Sequence, residues 1–208
     1  MTPETFAAET GVSRETLERL RRYAALLEKW NQRINLVGQG TIHDLWRRHM
    51  LDSAQLYPLI ADPAAPLLDL GSGAGFPGLV LAAMGATDTH LIESDRRKCA
   101  FLAEAARHMG VSVTIYPERI ESVPPIGAAT IVSRALAPLP DLLDLAVNFC
   151  NEHSILLFLK GRGAIRELTA TRKEWSMRVN QIQSRTDPEG TILRLEAISR
   201  ALFATPKR

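Results

Sequence analysis

The sequence feature that most constrains the fold is a glycine-rich stretch at residues 66–78, which reads Pro-Leu-Leu-Asp-Leu-Gly-Ser-Gly-Ala-Gly-Phe-Pro-Gly. A short apolar run ends at Leu70, glycines follow at alternate positions, and Pro77 opens a second apolar segment that is typical of a helix. Glycine allows positive φ and lets a ligand lie directly against the backbone. A buried strand that enters such a turn and then a helix therefore predicts a ligand-binding loop.

Two classes of ligand use loops of this kind. Residues 73–78 satisfy the dinucleotide pattern G-x-G-x-x-G, but the first glycine after the strand is Gly71, and Asp69 precedes it by two residues. That carboxylate would repel a pyrophosphate, whereas it would attract the sulfonium and ammonium groups of S-adenosylmethionine. S-adenosylmethionine is therefore the expected ligand. Its expected contacts in this stretch are Asp69, Gly71, Ser72, Gly73 and Gly75.

Apolar, strand-like runs alternate with helical patterns from residue 66 onward, which predicts a parallel α/β sheet. The tail differs, because segments 177–184 and 191–198 flank a turn-rich connection that suits an antiparallel hairpin. The expected fold class is α/β, with a Rossmann-like S-adenosylmethionine methyltransferase sheet that is mostly parallel and ends in that hairpin. The expected parallel strands are 67–70, 89–93, 112–116, 130–133 and 154–159, and the expected helices are 77–84, 96–109, 139–150 and 163–174.

A helical N-terminal extension over residues 1–62 is expected to precede the methyltransferase domain at 63–208. Apolar residues recur at three- and four-residue steps from Leu17 to Ile34, Ser13 is placed as an N-cap, and a second helical stretch is expected at 42–60. The polar faces carry several arginines, although acidic residues nearly balance them. These faces are either ordinary solvated surface or a contact for RNA. The arginines considered for that contact are Arg19, Arg21, Arg22, Arg47 and Arg48.

Composition narrows the class of protein. With 46% hydrophobic and 23% charged residues, the 208-residue chain fits one core-forming domain with an appendage rather than a disordered protein. A net charge of +2 permits a polyanionic partner without requiring one. Cys99 and Cys150 have no metal-ligand spacing, so no metal is expected, and no apolar run predicts a membrane span. The expected protein is soluble and cytoplasmic, and nothing in the composition implies an oligomer.

Polar residues at the ends of the later strands are candidates for the ligand site. Glu93 ends the second strand, where an acid can accept hydrogen bonds from both ribose hydroxyls of a nucleoside. After the third strand, Ile120 can stack on an adenine and Glu121 can accept from its exocyclic amine, although an ordinary surface turn explains this segment equally well. Arg134 ends the fourth strand, where its guanidinium could bind the donor's carboxylate or the O6/N7 edge of a guanine.

Three further residues are candidates at the rim of the same cleft. Lys160 and Arg162 follow the fifth strand, and His49 lies in the N-terminal extension. Lys160 and His49 are considered for orienting an acceptor base, and Arg162 for contact with RNA. Solvated charges and a structural histidine are the simpler explanations. An acceptor other than RNA, a nucleotide-binding regulator and a dehydrogenase all stay open at this level.

The chain resembles the bacterial small-subunit (16S) ribosomal RNA guanine-N7 methyltransferases, also called the glucose-inhibited division protein B family. The resemblance spans nearly the whole chain. It rests on residues 69–78, Ser133-Arg-Ala135, Leu159-Lys-Gly161, Trp30-Asn31, Asn35-Leu36, Arg48-His49 and Leu51-Asp-Ser53. The resemblance implies that Gly71, Phe76, Ile120, Glu121 and Arg134 line the S-adenosylmethionine site, and that 16S ribosomal RNA or the small ribosomal subunit is the partner.

The chemistry that this resemblance implies needs no general base. Guanine N7 has a free lone pair and no proton, so the enzyme has mainly to hold donor and acceptor close and in line. An N7 edge is not accessible in the deep major groove of A-form RNA, so the target should lie in a loop or be extruded. The alternative is an S-adenosylmethionine-dependent methyltransferase with a small-molecule acceptor.

Overall fold

A computed structural model describes residues 1–201 of the chain. Its centre is a seven-stranded sheet with the order β3-β2-β1-β4-β5-β7-β6. The first five strands are parallel, and β7 pairs antiparallel with both β5 and β6. The strands are β1 (Leu67–Leu70), β2 (Thr89–Ile92), β3 (Thr114–Tyr116), β4 (Ala128–Arg134), β5 (Cys150–Lys160), β6 (Trp175–Gln183) and β7 (Thr191–Arg200). The predicted fold class, a mostly parallel Rossmann-like sheet with a C-terminal antiparallel hairpin, is therefore confirmed.

Helices α5, α6 and α7 come between the parallel strands, as the alternating sequence pattern predicts. α6 begins at its predicted residue because Asp95 caps it, with Oδ1 accepting the Arg97 N–H at 2.8 Å. The helices are α1 (Pro3–Thr10), α2 (Arg14–Asn31), α3 (Gln39–Ile42), α4 (Asp52–Ala54), α5 (Gly78–Met84), α6 (Arg96–Met109), α7 (Leu139–Ala146) and α8 (Ala164–Thr171).

The predicted second helical stretch at 42–60 is mostly helical but is not one continuous helix. It is divided into a π-helical turn at Trp46–Leu51, the short α4, and a 3-10 turn at Tyr57–Leu59 that contains Pro58. The preceding helix, α2, ends where the side chain of Asn31 accepts the N–H groups of Leu36 and Val37, each at 2.9 Å. These hydrogen bonds replace helical backbone bonds and fold the chain back toward the sheet.

The N-terminal helices pack directly on the sheet domain. Leu20 and Leu27 of α2 share one hydrophobic cluster with Val80 of α5 and Phe101 of α6, and all four side chains are fully buried. This contact covers one face of the sheet and brings the N-terminal segment against the carboxyl ends of the strands. None of the helices between residues 1 and 201 is long and apolar enough to cross a membrane.

Candidate active site

A cavity of about 420 Å³ opens at the carboxyl ends of β1, β2 and β4. In open α/β sheets this is the edge where ligands bind, and the volume lies within the range of about 300–1,000 Å³ that is typical of small-molecule sites. Predicted residues on its wall are Gly71, Ser72, Gly73, Phe76, Glu93, Ile120, Glu121 and Arg134. We call it the nucleoside cavity, because its residues match those expected to hold a nucleoside.

The glycine loop forms one wall of the nucleoside cavity, and Glu93 stabilises it. Gly71, Gly73 and Gly75 all have positive φ, at +69°, +57° and +93°. The Glu93 carboxylate accepts the N–H of Gly73 through Oε2 at 2.9 Å and the N–H of Asp95 through Oε1 at 2.8 Å. Each carboxylate oxygen has a second lone pair, so the same group can still accept hydrogen bonds from ribose hydroxyls.

Asp69 lies beneath the loop and not on the wall of the nucleoside cavity. Its side chain is fully buried, Oδ2 accepts the Gly78 N–H at 2.9 Å, and Oδ1 has no hydrogen-bond partner within residues 1–201. Burial raises the pKa of this carboxyl group to about 7, against the lowering effects of the Gly78 N–H and the Arg134 charge. Any attraction between Asp69 and a cationic ligand would therefore act through the loop.

Tyr23 of α2 contacts the glycine loop at Ala74 and Phe76. Its hydroxyl group donates to the carbonyl oxygen of Ala74, and its ring packs on Phe76 with centroids 5.2 Å apart. The hydroxyl is also 3.0 Å from where a Cβ on Gly75 would lie. Sequence analysis missed Tyr23, because it lies 51 positions before Ala74 in the chain and nothing in its own helix marks it as different from a core residue.

Arg134 extends from the end of β4 toward the N-terminal segment and is held there by three hydrogen bonds. Nη1 donates to the Arg48 carbonyl oxygen at 3.0 Å and to Asp52 Oδ2 at 3.4 Å, and Nη2 donates to His49 Nδ1 at 2.8 Å. The guanidinium group also lies 5.1 Å from the centroid of the Phe76 ring. Asp52 is another residue that sequence analysis did not nominate, although it belongs to the motif next to His49.

These contacts determine the tautomer of His49. A guanidinium group can only donate, so Nδ1 must accept and the proton is on Nε2. Nε2 lies 2.9 Å from Thr41 Oγ1, which in turn donates to the Gly38 carbonyl oxygen at 2.8 Å. Burial, and then the charges of Arg134 and Arg48, lower the pKa of His49 to about 3. His49 is therefore neutral at physiological pH.

A second cavity, of about 440 Å³, adjoins the nucleoside cavity. Arg134 and Ala135 line both, and Ala135 adopts a positive φ of +54° at this boundary. Most residues on its wall have polar side chains, and the turn between β6 and β7 completes it. We call it the polar cavity; its wall includes Thr41, His49, Asp52, Lys160, Glu167, Thr186 and Asp187.

Lys160 lies on the wall of the polar cavity in a well-defined position. Its ammonium group contacts Glu167 Oε2 at 2.6 Å and donates to the Ala137 carbonyl oxygen at 2.8 Å. Glu167 Oε2 also accepts the N–H of Leu139 at 2.8 Å. An ammonium group has three N–H donors, and two are used by these partners. One donor is thus left for a molecule in the cavity.

The arginines predicted to contact RNA fall into two separate groups. Arg19 and Arg22 lie beside Met109 and Gly110, at the end of α6. Lys98, on the wall of the nucleoside cavity, is 11 residues earlier in the same helix, which corresponds to about 16 Å along its axis. The first group is therefore on the wall of neither cavity.

Ion pairs with acids occur in both groups, because Arg48 pairs with Asp187 and Arg162 pairs with Glu189. Arg19 pairs with Glu15, and Arg21 pairs with both Glu4 and Glu18. In the second group, Arg48 is on the wall of the polar cavity. Gly161 is on the same wall, and Arg162 directly follows it in the chain. Arg47 is exposed in the same π-helical turn as Arg48.

Known proteins are similar to this chain over most of its length. Residues 16–191 match the family model described as rRNA small subunit methyltransferase G. The chain is 59% identical over 200 residues to the "Ribosomal RNA small subunit methyltransferase G" of Paramagnetospirillum magneticum, covering 96% of this chain and 98% of that protein. It is 51% identical over 201 residues to the protein of the same name from Rhodospirillum rubrum, covering 97% and 100%.

Solved structures with a similar fold are much more distant in sequence. The crystal structure of M. jannaschii TYW2 in complex with AdoMet has a TM-score of 0.55 and 15% identity, and covers 82% of this chain and 80% of that chain. The ribosomal protein L11 methylase from Lactobacillus delbrueckii subsp. bulgaricus has a TM-score of 0.58 and 16% identity, and covers 71% and 76%. At 15% and 16% identity, this similarity shows a shared fold and nothing about function.

Proposed function

The chain belongs to the rRNA small subunit methyltransferase G family, and from this premise we propose that it methylates N7 of a guanosine in 16S ribosomal RNA, with the donor in the nucleoside cavity and the guanine in the polar cavity. The protein is an S-adenosylmethionine-dependent methyltransferase of ribosomal RNA. The observation that supports this division most strongly is the side chain of Arg134, which lines both cavities at their boundary.

The residues of the nucleoside cavity fit S-adenosylmethionine. Glu93 can accept from the ribose hydroxyls, Ile120 offers an apolar surface to the adenine, and Glu121 offers an acceptor for its amine. When bound, the donor supplies an electrophilic methyl group on a sulfonium. Asp69 stabilises the glycine loop that would hold the donor, through the hydrogen bond from Gly78.

We assign the donor's carboxylate to Arg134. A guanidinium group has five N–H donors, and three of them are used by Arg48, His49 and Asp52. The two N–H groups that remain, on Nε and Nη2, have no partner in the part of the chain that the structure describes. A carboxylate accepts such a pair well, and the three protein contacts leave the guanidinium little freedom to move away.

Lys160 is the residue that we assign to the acceptor base. Its remaining N–H can donate to O6 of a guanine, and O6 is adjacent to N7 on the same edge. Holding O6 aligns the N7 lone pair with the methyl group, which is a contribution of proximity and orientation. His49 is neutral and both of its ring nitrogens are already hydrogen-bonded, so it acts by position and not by proton transfer.

The polar cavity can hold a base only if the guanosine leaves its stack or lies in a loop. We infer that RNA approaches at the mouth of this cavity, where Arg48 and Arg162 lie and Arg47 is exposed. None of Arg19, Arg21 and Arg22 is on the wall of either cavity, so we assign this cluster a minor contribution. The work of such an enzyme on ribosomal RNA also supports a cytoplasmic location.

The test is the transfer of labelled methyl groups from S-adenosylmethionine to small ribosomal subunits that lack the modification, followed by nucleoside analysis. We expect the label in 7-methylguanosine. Label in another nucleoside would contradict the N7 assignment. Binding of the donor without label in RNA would favour the small-molecule acceptor instead.

A further inference from the structure

Helix α8 presents an exposed face beside the mouth of the polar cavity. Within the helix, Ala164, Leu168 and Thr171 are buried against the sheet, whereas Ile165, Arg166 and Thr169 are exposed. Together with Arg162, which lies in the turn before the helix, the exposed residues recur at three- and four-residue steps and so share one side. We call Arg162, Ile165, Arg166 and Thr169 the α8 face.

Ile165 is the unusual member of this face. Ile165 is 73% exposed, whereas Met1 and Leu136, the other exposed large apolar residues between positions 1 and 201, reach only 36% and 37%. Exposure of an isoleucine side chain to water is unfavourable compared with its burial. A single exposed apolar residue needs no explanation by itself, but this one lies between two arginines on a helix that borders the proposed acceptor site.

Several contacts fix α8 next to that site. Glu167 of α8 is on the wall of the polar cavity and holds Lys160. Arg162 pairs with Glu189, in the β6–β7 turn that forms the opposite wall. Arg162 therefore connects the α8 face to the turn at the cavity wall, and a polynucleotide strand that leaves the cavity over the N-terminal end of α8 would run along this face.

We propose that the α8 face is an RNA-contact surface on which the strand next to the extruded guanosine lies. This inference rests on the proposed function. Arg166 and Arg162 are suited to the phosphates on either side of the target, since guanidinium groups bind phosphate oxygens with paired hydrogen bonds. Ile165 fills the gap that the guanosine leaves in the stack, as apolar side chains do where proteins open a nucleic-acid stack.

The experiment compares three variants of the full chain on small ribosomal subunits that lack the modification. Ile165→Ala should lower kcat/KM about tenfold, and Ile165→Leu should restore most of it because the branched apolar volume is kept. Arg166→Ala should raise KM and reduce the slope of log KM against log salt by about 0.7, the value for one phosphate contact on a single strand. Affinity for S-adenosylmethionine should be the same as in the unmodified protein for all three.

Arg107→Ala is the matched control, because Arg107 is also exposed on a helix but belongs to the last turn of α6 and is on the wall of neither cavity. Equal kcat/KM for Ile165→Ala and the unmodified protein would overturn the proposal, as would equal salt slopes for Arg166→Ala and Arg107→Ala. If the unmodified protein transferred no label to RNA, the proposed function would fail first. Filter binding of labelled 16S ribosomal RNA would then still compare Arg166→Ala with Arg107→Ala.

Discussion

Arg134 donates a hydrogen bond of 2.8 Å from Nη2 to Nδ1 of His49, across 85 positions of the sequence. This bond connects the end of a central strand to the N-terminal segment. It also fixes both partners, because the guanidinium cannot accept and the imidazole must therefore carry its proton on Nε2. The boundary between the two cavities depends on this pair.

Two substitutions of His49 should show separately what its Nδ1 and Nε2 hydrogen bonds each contribute to donor binding. His49→Asn places an acceptor oxygen near the position of Nδ1, whereas His49→Gln places its amide near Nε2 and loses the acceptor for Arg134. We expect His49→Gln to bind S-adenosylmethionine about tenfold more weakly than His49→Asn, since a hydrogen bond to a charged group is worth about 1.5 kcal/mol or more. Isothermal titration calorimetry measures both affinities. Equal affinities would show that His49 does not position Arg134.

Arg134→Lys should weaken binding of the donor selectively. An ammonium group has three N–H donors, too few for the contacts with Arg48, His49 and Asp52 together with a carboxylate. Affinity for S-adenosylmethionine should fall by about tenfold or more, the cost of a charged hydrogen bond. Affinity for 5′-methylthioadenosine, which has the nucleoside but no carboxylate, should hardly change. A similar loss for both ligands would indicate that Arg134 supports the cavity as a whole.

Asp69 should make the stability of the protein depend on pH in an identifiable way. Burial raises its pKa in the folded state from 3.8 to about 7. Between pH 4 and 7 the folded protein therefore binds this proton more tightly than the unfolded chain, so the contribution of Asp69 to the free energy of unfolding falls as pH rises through that window. The fall amounts to about 1.4 kcal/mol for each unit of pKa shift.

Asp69→Asn tests this, because an amide oxygen can still accept the Gly78 N–H and the group no longer titrates. Urea denaturation at pH 5 and pH 8 gives the free energy of unfolding of both proteins. The variant should gain stability relative to the unmodified protein at the higher pH. A pH-independent difference between the two would mean that the carboxyl group is not protonated in the folded state at pH 5.

Gly75→Ala should be much more disruptive than an alanine at another glycine with positive φ. A Cβ at Gly75 would lie 2.5 Å from Leu79 Cδ1, whereas nothing lies within 4 Å of a Cβ at Gly127, whose φ is +66°. Both substitutions introduce backbone strain, but only the first adds a steric overlap. We expect an additional loss of about 1–3 kcal/mol for Gly75→Ala, measured by urea denaturation. Equal losses for the two variants would mean that Leu79 can move aside.

The sequence predicted the sheet well because its signals are local. Buried parallel strands are short apolar runs, and the glycines and Pro77 mark the turn after β1 regardless of the rest of the chain. The stretch at 42–60 is helical as predicted, but its division into short turns and its tertiary contacts are not visible in a local pattern. Asp52, for example, accepts hydrogen bonds from Thr186 in the β6–β7 turn and from Arg134.

The sequence by itself therefore determined the α/β fold, the glycine loop, and the positions of Glu93, Arg134 and Lys160 at the ends of strands. Only the tertiary structure decided which of these groups still have hydrogen-bonding capacity for a ligand. Contacts within the protein occupy three N–H donors of Arg134 and two of Lys160, and they make His49 a neutral acceptor. Asp69 lies beneath the glycine loop. The reason is physical: residue type and spacing define what a side chain can do, but its free donors and its pKa depend on neighbours that are distant in sequence.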